Sequence, residues 1–466
     1  MTINTQVACR CAPRHAGAKT APASRQNSRL MLAALALTCL SELANGQALP
    51  VDAKPACTFQ PGEFSRWFAT GAVTLDGAVN PADSLNFPSD SKYCDFYKWA
   101  ERMFLWVTSP SLGGVRVFQS PDFYTITAPV DGKRALLRND SGKNDIFISL
   151  RSSKPVEHDG QPGSRGVLMA QNKSLVYYAS LVNDVYAYFL TGAKNGDLDG
   201  SRFPIQKREL DKIIAFGAPH GINFGDRNAL AVTVKSAWVE TTGLTEAGLD
   251  ASKYIKLIAT IPTYDTSSQI RWTPNNRLIK AELALVGMHV VGSAKGHADM
   301  IWATFEHVDN TPIASYDYKN TSDEIKKQPE SNSGPWLFSR SAPGRFNELL
   351  MHTKNAPNID AIEGKTIGPS DTRREYAWGS DNAENNTRII AINKSIDGML
   401  ANGDVRKNYR LVGAAWSSGI GAVKLANTTM ETYAQGTNCF NCHLGNLPGG
   451  RLSRMYRSLQ PLFPPP

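Results

Sequence analysis
A chain of 466 residues, 42% hydrophobic and 20% charged, has apolar material for one large or two medium cores, which excludes a disordered or low-complexity polymer. Its formal net charge of +8 falls to +4 when residues 1–46 are set aside, because five Lys/Arg and one Glu lie in them. That balance is mild and no arginine-rich run accompanies it, so nucleic-acid binding has no support and only a weak bias toward acidic partners is left.

Residues 1–46 have the pattern of a signal peptide. Arg10, Arg14, Lys19, Arg25 and Arg29 form a basic stretch, LMLAALALTCL follows from Leu30 to Leu40, and small residues at Ala44 and Gly46 suit cleavage before Gln47. The apolar run is about half of the roughly 20 residues needed to cross a bilayer, and nothing later is long enough, so no transmembrane segment is expected in the mature form. An uncleaved anchor is the alternative. Export to the periplasm or an equivalent compartment is the expectation, and Cys9, Cys11 and Cys39 then depart with the leader. Cys57, Cys94, Cys439 and Cys442 remain to be accounted for.

From residue 47 the chain reads as mainly β with several helices, an α+β body. In SKYCDFYKWAERMFLWVTSP, Phe96, Trp99, Met103, Trp106 and Val107 recur at three and four residues, which predicts a core-facing amphipathic helix ended by Ser109-Pro110. Short β-branched and aromatic segments follow as far as Trp272, punctuated by Gly, Pro, Asn and Asp, with LVNDVYAYFLTG as a short helix among them. AELALVGMHVVG and ADMIWATFEHV, joined by SAKGH, predict a hairpin. A division near residue 275 is conceivable, though no linker-like stretch marks it. Residues 310–386 suggest long loops with a helix near GRFNELLMH, then NTRIIAINKSIDGMLANG shows helical spacing and YRLVGAAW a strand. The expected division is a β-rich domain over 47–424 and a short helical C-terminal segment over 425–466.

That last segment carries the chemistry. In GTNCFNCHLG, Cys439 and Cys442 stand three apart, so on a helical turn both thiols project from one face and can add to the two vinyl groups of one porphyrin. His443 follows directly, placed to ligate the iron as the proximal ligand. CFNCH resembles the haem-attachment signature of c-type cytochromes, and that resemblance implies one covalently bound haem c. It covers five residues and not the fold. A redox dithiol would call for a thioredoxin-like βαβ setting, a zinc site for a second Cys or His pair nearby, and a disulfide between these cysteines would close a very small loop. With these two thiols on haem, Cys57 and Cys94 are expected to pair as a structural disulfide. Thr428 and Glu431 have capping-box spacing, which predicts a short helix delivering the cysteines.

Only 23 residues follow His443, too few to wrap a haem, so the pocket wall must come largely from the upstream domain. The second axial ligand decides the role: Met or His there favours electron transfer, whereas an open site permits catalysis or gas sensing. Met455, twelve residues on, is one candidate; its alternative is a contact of the C-terminal tail. His289, beside Met288 on a strand, is another, since one of the two must face inward. His297, in the expected hairpin loop, is a third. His307, sharing a face with Ile301 and Phe305, reads instead as a buried, hydrogen-bonded histidine. The working expectation is an exported monohaem cytochrome that exchanges single electrons with a redox partner protein or a small donor or acceptor. The alternative is a peroxidase- or oxidase-like enzyme, with His297 and Glu306 as a distal acid–base pair, or a haem-based sensor.

Overall fold
The computed structural model describes residues 48–111, 114–139, 146–147, 166–331, 334–340, 345–353, 357–416, 420–443 and 454–464. The expected leader lies outside the described residues. Along the chain the helices of five or more residues are α1 (Pro61–Ser65), α2 (Tyr93–Val107), α3 (Asp184–Asn195), α4 (Lys207–Gly217), α5 (Ala383–Met399), α6 (Cys439–His443) and α7 (Arg454–Ser458). The strands are β1 (Phe123–Ile126), β2 (Leu136–Arg138), β3 (Ile146–Phe147), β4 (Gly166–Val167), β5 (Tyr177–Asn183), β6 (Val232–Glu240), β7 (Lys256–Asp265), β8 (Arg271–Ala294), β9 (His297–His307), β10 (Tyr316–Lys319), β11 (Ile325–Gln328), β12 (Met351–His352), β13 (Ile359–Ala361), β14 (Tyr409–Trp416) and β15 (Ile420–Gly421). The fold is mainly β with several helices.

The spine is a sheet in the order β15-β14-β9-β8-β6-β5-β1-β2, in which neighbouring strands run antiparallel. Its centre is the hairpin of β8 and β9, turned by Lys295 and Gly296, where Gly296 takes φ +81°, a conformation that costs glycine little. β8 begins well before the expected strand and runs unbroken through residue 275. The described residues from 48 onward cluster as one compact unit.

Because side chains alternate along a strand, β8 and β9 present two different faces. Met288, Val290, Ala303 and Phe305 point to one face and are buried there against α2, whose Phe104 stacks on Phe305 with ring centroids 4.3 Å apart. α2 lies where the aromatic periodicity predicts it. α5 adds Ile389, Ile392 and Ile396 to the same core. His289, Trp302, Thr304 and Glu306 point to the opposite face, and residues 425–435 lie over it. Gly287 shares that face. A Cβ there would collide with Asn427 and Thr429, so glycine permits the close approach.

Two expectations need correction. Residues 345–352 of GRFNELLMH form a turn and then strand β12, which pairs with β4 and β13, because tertiary strand pairing overrides local helix preference. The region between Gly114 and Trp272, expected to be strands with one short helix, holds α4 as a second helix. Its start is a capping box in which Glu209 accepts from the Gln206 amide at 3.1 Å.

Cys57 and Cys94 are joined in a disulfide across a sequence separation of 37, tying the N-terminal segment to the first turn of α2. Replacing both by serine is expected to lower stability by about 2–4 kcal/mol, read as a drop in the urea midpoint with m somewhat raised, because the unfolded chain loses a cross-link and exposes more surface.

Candidate functional site
Cys439 to His443 form one helical turn, α6. The backbone therefore places Cys439 and Cys442 one turn apart on the same side; the Cys442 side chain lies outside what is described. The turn is held at its start by the Cys439 amide, which donates to the Val423 carbonyl at 3.2 Å. Phe440 is buried, and Cys439 packs half-buried at the edge of the main core. The half-buried His443 ring sits with its centroid 4.5 Å from the Trp302 indole, which projects from β9, and Phe440 meets the same indole at 6.1 Å. Trp302 thus forms a floor under the turn.

Upstream of the motif a polar cluster pins residues 425–435 to the sheet. His289 Nε2 lies 2.9 Å from Glu431 Oε2, and its Nδ1 lies 2.7 Å from Thr304 Oγ1. Lys235 Nζ reaches Glu431 Oε1 at 3.4 Å, and the Asn427 amide donates to Oε2 at 3.1 Å. Burial opposes ionisation of Glu431, but His289, Lys235 and the Asn427 amide outweigh it and hold the carboxyl well below the usual carboxylate range. An ionised carboxylate can only accept, so the facing Nε2 carries a hydrogen. A second anchor is deeper. Glu306, fully buried, accepts from Arg374 Nη2 at 2.7 Å and from the Thr428 amide at 2.8 Å, and the Thr428 hydroxyl also donates to it.

The expected capping box is accordingly absent: Thr428 is turned to Glu306, and Glu431 caps Asn427 and grips the sheet. A three-residue 3-10 turn, Thr432–Ala434, stands where a helix was expected.

Beyond the motif, the chain is fixed again. The Arg134 amide donates to the Ser458 carbonyl and the Gln460 amide to the Arg134 carbonyl, both at 2.8 Å, while the Leu462 amide donates to Thr191 Oγ1 at 3.0 Å. Leu459 is fully buried and Phe463 stacks on His220 at 3.8 Å. Residues 444–453 thus run between two anchored points and lie outside the described residues. Met455 falls in α7; its side chain is likewise outside what is described.

The other ligand candidates are placed as follows. His289 lies on the sheet face that carries His443, but both ring nitrogens are engaged, so ligating iron would cost it Glu431 or Thr304. His297 opens β9 on the opposite side, its ring edge-on to Phe96 of α2 at 4.9 Å and to Phe87 at 5.7 Å. Burial lowers its pKa, against a smaller opposing effect of Asp299. Since Glu306 belongs to the face carrying residues 425–435, the suggested His297–Glu306 acid–base pair is not assembled. His307 is fully buried, stacked on Tyr254 at 3.7 Å, and accepts the Asp309 amide; burial pushes its pKa down to about 3.

Sequence reasoning missed the platform made by Trp302, Lys235 and Thr304. Its only trace in sequence is the alternation of Trp302, Thr304 and Glu306 on one strand face. No family model matches the chain, and no curated protein or solved structure is significantly similar to it.

The Glu431 cluster makes a pH-dependent prediction. A carboxyl whose pKa is depressed in the fold stabilises above its unfolded pKa of about 4.3 and loses that contribution as pH falls through the folded value. Wild type is therefore expected to exceed Glu431→Gln in stability at neutral pH, with the gap closing below about pH 4. Urea unfolding of both proteins at neutral and acid pH measures it; a pH-independent gap contradicts the assignment.

Proposed function
We propose that the protein is an exported monohaem c-type cytochrome that transfers single electrons. The observation that carries this reading is that CFNCH occupies one helical turn, with the half-buried His443 ring over Trp302 and the Cys439 amide held by the Val423 carbonyl. The donor chemistry fits the group: Cys439 and Cys442 would hold haem c through thioethers, and His443 would be its proximal ligand. Haem, once bound, supplies a one-electron iron couple.

The protein's own part is positional. Trp302 limits the rotation of the His443 ring, and the Glu431 and Glu306 anchors fix the stretch that leads into the turn. The Cys57–Cys94 bridge suits an oxidising compartment, as export to the periplasm requires. Among the described residues no helix is long and apolar enough to cross a membrane. A redox protein or a small donor or acceptor is the partner this role requires.

Optical and electron paramagnetic resonance spectra test the role. A low-spin haem indifferent to carbon monoxide and cyanide is expected, with Met455 the first second-ligand candidate for substitution. A high-spin haem that binds carbon monoxide at once overturns electron transfer in favour of catalysis or sensing.

A further inference from the structure
Away from the haem motif, a cavity of about 740 Å³ opens between α4, the β8–β9 turn and the two short turns at Ser84–Asn86 and Arg227–Ala229. Its floor is aliphatic: Leu85, Ile205, Leu210 and Ile214. Its rim is cationic, formed by Lys207, Arg227 and Lys295. Asp211 is the acid among the lining residues, and Lys207 already holds both of its oxygens at 2.8 Å. Arg227 and Lys295 are exposed and have no ion-pair partner among the described residues.

The walls are fixed before any ligand arrives. The Lys295 amide donates to the Ser84 carbonyl at 2.9 Å, and the Trp99 indole donates to Ser84 Oγ at 3.0 Å. Glu209 ties the start of α4 through the Ile205 and Gln206 amides. The Arg227 turn follows Asp226, which accepts from the Trp106 indole at 2.9 Å. A preformed cleft of this size is within the range of small-molecule sites, and little ordering is left for a ligand to supply.

We propose that this cleft binds a small anionic amphiphile, an aliphatic carboxylate whose chain lies on Leu85, Ile205, Leu210 and Ile214 and whose head group meets Arg227 and Lys295. The apolar floor alone would accept a neutral chain. Two cations without an ion-pair partner among the described residues stand beside it and make the anion the better ligand, because charge-assisted hydrogen bonds are the stronger ones. The site is independent of whether the chain carries haem.

The test is isothermal titration of the full mature protein with decanoate, below its micelle concentration, against decanol and decyltrimethylammonium. Saturable binding at one site is expected, with decanol at least roughly tenfold weaker and the cationic amphiphile not bound. Arg227→Gln with Lys295→Gln, both exposed, should weaken decanoate at least about tenfold at unchanged melting temperature. Ala215→Trp, which places an indole in the cleft against the aliphatic floor, should weaken decanoate at least about tenfold. The proposal is overturned if decanoate shows no saturable binding or binds only as micelles, if decanol binds equally well, or if either variant keeps wild-type affinity.

Discussion

Replacing Glu306 by alanine is expected to destabilise the protein by about 3–5 kcal/mol, among the largest effects of any single substitution here. The carboxylate is fully buried and answers three donors: Arg374, the Thr428 amide and the Thr428 hydroxyl. Among the described residues, removing it leaves the buried Arg374 guanidinium with the Ala377 carbonyl, at 3.3 Å, as its remaining hydrogen-bond partner. An uncompensated buried charge is costly, whereas the intact pair adds modest net stability. Glu306→Gln keeps an acceptor for Arg374 and should lose less. Urea unfolding decides it: a loss for Glu306→Ala no greater than that of an ordinary surface substitution, within about 0.5 kcal/mol, would show that the pair is not a structural anchor. The substitution should also loosen residues 425–435, so limited proteolysis before Cys439 should accelerate.

Replacing Cys439 and Cys442 together by alanine is expected to eliminate covalent haem while leaving the fold intact. Cys439 sits at the core edge and not in it, so the cost in packing is small. Each single substitution should leave haem held by one thioether, with the reduced absorption band shifted to the red of the doubly attached form. His443→Ala should retain attachment but lose the low-spin spectrum, because the thiols are untouched while the axial donor is gone. Trp302→Ala removes the floor beneath the His443 ring and should give intermediate behaviour, with attached haem in a mixture of spin states. If the double cysteine variant keeps its haem through denaturation, the attachment lies elsewhere.

Where local periodicity and tertiary packing agree, the sequence was legible. The three- and four-residue spacing of Phe96, Trp99 and Met103 has one outlet, the sheet face behind it, and α2 forms there. The apolar alternation of β8 and β9, with glycine at the turn, specifies its own register. Where local preference met a stronger long-range partner, the reading failed. The Thr428 hydroxyl reaches Glu306, distant in sequence, in preference to its own helix start. Leu350 and Met351 lie in or beside strand pairing that no local pattern announces. α4 is different: Leu210, Ile213, Ile214 and Gly217 recur at helical spacing between charged residues, so this helix was legible in the sequence and was passed over among the strand-like segments around it.

The candidate site divides in the same way. The chemistry proposed for it is local, read from the types and spacing of five residues. Its support is not. Trp302 reaches the motif, and His289 the stretch before it, only because β8 and β9 pair in one register and Gly287 lets residues 427–429 lie close against them.

Covalent haem is tested most directly by the intact mass of the mature protein, made in a host that matures c-type cytochromes, together with its pyridine haemochrome spectrum after denaturation. A mass increased by one haem that survives acid and organic extraction is expected, with the spectrum of a haem held by two thioether bonds. A denatured chain at the mass of the polypeptide alone, from a host in which another c-type cytochrome matures normally, would contradict it.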